Sequence, residues 1–136
     1  MHYFQLIEGE NLPAVEHFAP FKAVLAIEDA VSPARQQEVS AWLVEMGCKY
    51  VMICGSDGQG WQESIRRANL ERVSIDDMQP HDFVMITTHP HEKLRSVFWH
   101  ARKAARHTHV KIENILTFHF SKQNRSVEYL AIFDKA

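Results

Sequence analysis

The sequence predicts a three-layer α/β sandwich: a mainly parallel, Rossmann- or flavodoxin-like sheet, helices on both faces, and an antiparallel hairpin at the C-terminal end. Three observations carry this. Residues 21–27 (FKAVLAI), 49–54 (KYVMIC) and 83–88 (FVMITT) are short, near-continuous apolar runs. Strands buried on both faces read this way, whereas half-exposed strands alternate. Amphipathic segments with helical spacing lie between the runs, and strand–helix alternation of this kind builds a parallel sheet. Residues 112–120 and 127–133 are strand-like and are joined by a short polar connection at 121–126, which suits a hairpin.

Taken in order, residues 1–8 (MHYFQLIE) have strand composition and suit an edge position; Gly9 to Pro13 end them. A short segment over 14–18 is broken by Pro20. After the run at 21–27, Ser32-Pro33 opens a helix, with Ser as N-cap and Pro where no amide partner is lost. Val39, Trp42, Leu43 and Met46 form its apolar stripe, and Gly47 stands where a glycine ends a helix. Ser56 or Asp57 caps the next helix, with Trp61, Ile65 and Ala68 facing inward. A third helix, starting near Pro90, has the stripe Leu94, Val97, Phe98, Ala101, Ala104 and Ala105.

A length of 136 residues fits one domain, 1–136, large enough to bury a core without staples. With 46% hydrophobic and 24% charged residues the composition is that of a soluble globular chain, and no apolar run is long enough to span a membrane. No signal-peptide pattern is seen, so the expected location is the cytoplasm, with no membrane partner. The net charge of −2 leaves nucleic-acid binding to local clusters alone. The two cysteines, Cys48 and Cys54, fall at even spacing in one strand, so both should point to one face, too far apart to bridge. They read as reduced thiols.

In such sheets ligands bind beyond the carboxyl ends of the strands. Those ends are Glu28-Asp29, Gly55-Ser56-Asp57-Gly58, Thr87-Thr88-His89 and Ser121-Lys122. The GSDGQG turn lacks both G-x-G-x-x-G and the P-loop pattern, so a capped turn is preferred over a phosphate cradle, and Asp57 would repel an anion. Paired acids at Glu28 and Asp29 resemble the start of a phosphoreceiver domain, but Thr87, Thr88 and His89 stand where the acceptor Asp should be. A nucleophilic set could use Cys54 or Ser56, with His89 or His119 as base and Asp29 or Asp57 as orienter, yet G-x-S-x-G is absent. The catalytic candidates are Asp29, Ser56, Asp57 and His89. Nine histidines invite a metal, but only His89 and His91 with Glu92 gather at a strand end, and no zinc motif occurs; surface or capping roles are preferred. A basic face on the third helix, including Arg95, Arg102 and Arg106, could hold phosphates, and Trp61 and Trp99 are candidate partner anchors.

The stretches FKAVLAIEDAVSP, VSAWLVEMGCKYVM, WQESIRRANL, FVMITTH and VFWHA, from about Phe21 to Phe120, resemble an uncharacterised group of small bacterial cytoplasmic α/β proteins. That resemblance implies one compact bacterial cytoplasmic α/β domain and carries no activity, substrate or catalytic residue. With no complete catalytic constellation and no cofactor motif, the expected function is a small binding or accessory module. It would act through macromolecular contacts, as an immunity or regulatory factor. The expected partner is a protein, or a second copy of the chain. Two alternatives stand beside it: a hydrolase or phosphoryl-handling enzyme at the strand-end rim, and a nucleic-acid-associated module using the basic third helix.

Overall fold

The computed structural model describes residues 1–136. Five strands and four α-helices follow in the order β1 (His2–Leu6), β2 (Phe21–Ile27), α1 (Pro33–Met46), β3 (Cys48–Gly55), α2 (Gly58–Arg72), β4 (Met85–His89), α3 (Leu94–Lys103), β5 (Asn114–Phe120) and α4 (Ser126–Lys135). The strands form one sheet in the order β1-β5-β2-β3-β4, and every pairing is parallel. Read from β4, the run β4-β3-β2-β5 has the 3-2-1-4 order of a doubly wound fold. The N-terminal strand β1 fills the position beyond β5 and is an edge, as its composition predicts.

Two cores flank the sheet. Phe21, Ala23, Leu25 and Ile27 of β2 pack with Val39 and Leu43 of α1 and with Trp61 and Ile65 of α2. Val24 and Ala26 point the other way and pack with Val97, Phe98 and Ala101 of α3 and Tyr129 of α4. The central strand is buried at all seven positions, which is why its sequence shows no alternation. The Ser32 hydroxyl accepts the Arg35 amide at 3.2 Å, and Gly47 takes a left-handed conformation (φ 98°) while donating to Leu43 and Val44. Both helix signals thus act as their residue types predict.

Three expectations need correction. Residues 127–133 do not form a strand: Ser126–Lys135 is α4, and there is no antiparallel hairpin. The reason is topological. β5 is hydrogen-bonded on both edges, to β1 and β2, so a returning strand has nowhere to pair. Its apolar residues Tyr129, Ile132 and Phe133 instead lie at helical spacing on the α3 side of the sheet. The cysteines do not share a face. A bulge between Phe21 and Lys22 skips Lys49 in the β2–β3 register, so Cys48 joins the α1/α2 core while Cys54 packs on the opposite side. The third helix begins at Leu94, not near Pro90, because His91 adopts a left-handed turn (φ 65°) after β4. No helix is long and apolar enough to cross a membrane.

Candidate functional site

β2 and β5 are neighbours, yet the segments leaving them diverge: α1 follows β2 onto one face and α4 follows β5 onto the other. Where neighbouring strands send their helices to opposite faces, the chain opens a crevice outside the strand ends. A cavity of about 390 Å³ occupies that place. Leu6 and Ile7 from β1 and the residue after it, Asp29 to Val31 after β2, Phe120 to Lys122 at the end of β5, and Arg35 of α1 line it. The lining is half apolar, with Glu8, Asp29, Arg35 and Lys122 as its charges.

The walls are held by hydrogen bonds between distant parts of the chain. The Glu28 and Asp29 amides both donate to the Phe120 carbonyl, at 3.3 and 2.9 Å, which extends the β2–β5 pairing past the strands. The Asp29 carboxylate accepts the Lys122 amide at 3.0 Å. Ser121 is buried: its hydroxyl donates to the Glu28 carboxylate and accepts the Gln123 amide at 3.0 Å, and its carbonyl accepts Gln5 at 2.9 Å. Arg35 is also buried and holds the Ile7 carbonyl at 3.2 Å while pairing with Glu38.

Behind this wall lies His119, with no exposed surface. The Tyr3 hydroxyl sits 2.5 Å from His119 Nδ1 and accepts the Arg125 amide at 3.0 Å. Nε2 faces the Glu28 carboxylate at 3.6 Å, so the proton of the neutral imidazole is assigned to Nε2 and the phenol hydroxyl is assigned as donor to Nδ1. Tyr129 stacks on the imidazole with ring centres 4.6 Å apart. Burial holds the His119 pKa below the usual histidine range, against the opposing pull of Glu28. The Ser121 hydroxyl holds the Glu28 carboxyl below its ordinary range, aided by His119 and Arg125.

This network does not have the form of a nucleophile site. Ser121 bonds to Glu28 rather than to His119, so no base is placed to take its proton for attack, and a carboxylate with a depressed pKa is a poor base. The thiols are equally unsuited. Burial pushes Cys48 up to about 12, and burial together with Glu92 raises Cys54. The arrangement is a hydrogen-bonded wall that ties the ends of β1, β2 and β5 together.

The sequence-derived candidates separate. Asp29 faces the crevice. Ser56 and Asp57 are exposed in the β3–α2 turn; Asp57 accepts Gln36 of α1 at 2.9 Å. The Asp57 carboxylate also lies so close to Gly60 that a Cβ there would stand 2.5 Å away, so it has not turned from the start of α2 and would meet any incoming anion. His89 points toward α3, with Nδ1 2.6 Å from Glu92 and Nε2 2.7 Å from Thr87. It is buried rather than superficial, and its ring lies 5.0 Å from that of His100. The four therefore share a rim but not a pocket: neither Asp57 nor His89 lines the crevice. His91 is exposed, and no group of three or more His, Cys, Asp or Glu side chains has the placing of a metal site.

Trp61 is 1% exposed and packs 5.3 Å from Phe120, so it serves the core, while Trp99 is 53% exposed on the outer side of α3. Arg95 and Arg102 reach back to α4: Arg95 donates to the Lys135 carbonyl, and Arg102 donates to those of Phe133 and Ala136. Arg106 is exposed near Lys22. Residue types alone did not single out Tyr3, Arg35 or Arg125. Their roles depend on contacts across the sheet, and the only signal within reach was the position of Tyr3 in a strand running toward the same rim.

No curated protein and no solved structure matches the chain. A family profile does match, over residues 1–136. The chain belongs to the family described as a domain of unknown function, DUF7684.

Proposed function

We propose that this protein is a small binding module, bacterial and cytoplasmic, whose recognition site is the crevice between the carboxyl ends of β2 and β5. The single observation that supports this reading best is the coincidence of the break between β2 and β5 with a cavity of about 390 Å³ walled in part by the buried Arg35 and Ser121. The ligand suited to it is a small molecule with an apolar body, lying on Ile7, Val31 and Phe120, and a charged end among Glu8, Asp29, Arg35 and Lys122. Two free thiols on opposite faces of the sheet accord with a reducing compartment. A library of small metabolites screened by thermal shift tests the reading. Binders should raise the melting temperature of the wild type and lose that effect in Ala30→Trp, which fills the crevice from an exposed position. Binders that stabilise both proteins equally would refute it.

A second reading, contact with a partner protein, is favoured by one observation. The half-exposed indole of Trp99 borders a hollow of about 360 Å³ with Arg95 and His100. Regulatory or immunity roles belong to this second reading.

A further inference from the structure

The amino end of β2 and the region after α3 enclose a separate hollow of about 300 Å³, at the other end of the sheet from the crevice. Its charged lining is Lys22, Arg102, Lys103, Arg106 and Lys111, beside His107, with no carboxylate among them. In a chain with 17 acidic and 15 basic residues, five cations around one small space are a marked segregation of charge.

Lys22 is the informative residue. It lies on the α3 side of β2, in line with the core residues Val24 and Ala26, and is only 8% exposed. Its ammonium donates to the Ala101 carbonyl at 2.8 Å and makes no ion pair, which leaves two of its three donors for another acceptor. Burial, and then the nearby Arg106, hold its pKa below the usual lysine range. A buried ammonium without a counter-charge is unfavourable, and methionine would fill the same space without that cost. Lys103 and Arg106 are exposed and make neither hydrogen bonds nor ion pairs. Arg102 is engaged with α4, and Lys111 pairs with Glu113 at 3.3 Å on the open surface. His107 is held as wall, donating to the Phe83 carbonyl and accepting the His109 amide.

We propose that this hollow is an anion site that takes the phosphoryl group of a small phosphorylated compound, gripped by Lys22, Lys103 and Arg106. Apart from the fixed imidazole of His107 no aromatic ring lines it, so it offers no platform for stacked bases. A concave space of this size also suits a free phosphate ester better than a nucleic-acid backbone, which is tracked by a long groove.

The test is titration of the ¹⁵N-labelled full chain with inorganic pyrophosphate, followed by NMR. The expected result is saturable shifts confined to Lys22 and residues 101–112. Affinity should fall at least about tenfold both in Lys22→Met and in Arg106→Gln, and be unchanged in Arg67→Gln, an exposed cation on α2 that lines neither hollow. Arg106 is exposed, so its variant keeps the test valid if Lys22→Met fails to fold. Shifts spread over many surface lysines without saturation, or equal affinity in Arg106→Gln, would overturn the proposal. A single-stranded oligonucleotide that binds more tightly than pyrophosphate, and is weakened by the same variants, would overturn the small-ligand assignment.

Discussion

Tyr3→Phe removes one oxygen atom and should cost far more than an ordinary surface change. The phenol hydroxyl donates to His119 Nδ1 at 2.5 Å and accepts the Arg125 amide at 3.0 Å. The His119 ring has no exposure, so its nitrogen would be left without a partner, at about 1–3 kcal/mol. Arg125 is only partly buried and water can replace its acceptor, which limits that loss to about 0.5 kcal/mol. The ring itself stays, with its edge contact to Tyr129 at 5.3 Å. The sum is about 1.5–3.5 kcal/mol, read as a lower urea midpoint at unchanged slope. In thermal melts it corresponds to a drop of about 5–12 °C for a domain of this size. A second arm isolates the pair: in a His119→Phe background the same substitution should cost at least about 1 kcal/mol less, because its partner is gone. A loss below about 0.5 kcal/mol in the wild-type background would refute the hydrogen-bonded arrangement.

Other consequences are as direct. His119 and His100 both have pKa values lowered by burial, so the unfolded chain takes up their protons first as pH falls. Their contribution to stability is fully present above the ordinary histidine value and is lost as pH drops from there through the depressed folded values; urea midpoints between pH 8 and 5 should decline, and less steeply in His119→Phe. Gly55→Ala should destabilise by at least about 2 kcal/mol, since φ is 115° and a Cβ would stand 2.4 Å from the Ile27 carbonyl oxygen; circular dichroism during urea unfolding measures it. The tryptophans should differ sharply: Trp61→Ala, at 1% exposure, costs about 3–5 kcal/mol, whereas Trp99→Ala, at 53%, stays within about 0.5 kcal/mol. Equal costs for the two would contradict the burial pattern.

Much of this architecture is legible in the chain because single residues state it. The run at 21–27 shows no alternation since both faces of β2 are covered, and Ser32 and Gly47 mark the ends of α1 through their own chemistry. What escapes the sequence is what depends on neighbours. Residues 127–133 combine β-branched and aromatic types that suit a strand equally well, and only the occupied edges of β5 exclude that choice. The bulge at Lys49 leaves no mark that spacing can show, yet it turns Cys48 to the other face. At the site, Asp29, Ser121 and Lys122 can be placed on the rim by the rule for parallel sheets. Tyr3 and His119 are 116 residues apart, and no local pattern links them. Asp57 and His89 reach the same rim, but Gln36 and Glu92 draw them to different neighbours.

The most direct test of the central claim is a fragment screen by ¹H–¹⁵N NMR on the unaltered chain. If the crevice at the break between β2 and β5 is the recognition site, hits that combine an apolar ring with a charged group should shift the amides of Ile7, Asp29 to Val31 and Phe120 to Gln123 together. Hits that gather around Ser56, Asp57 and His89 while leaving those amides unmoved would contradict the account, as would a screen in which nothing binds the crevice.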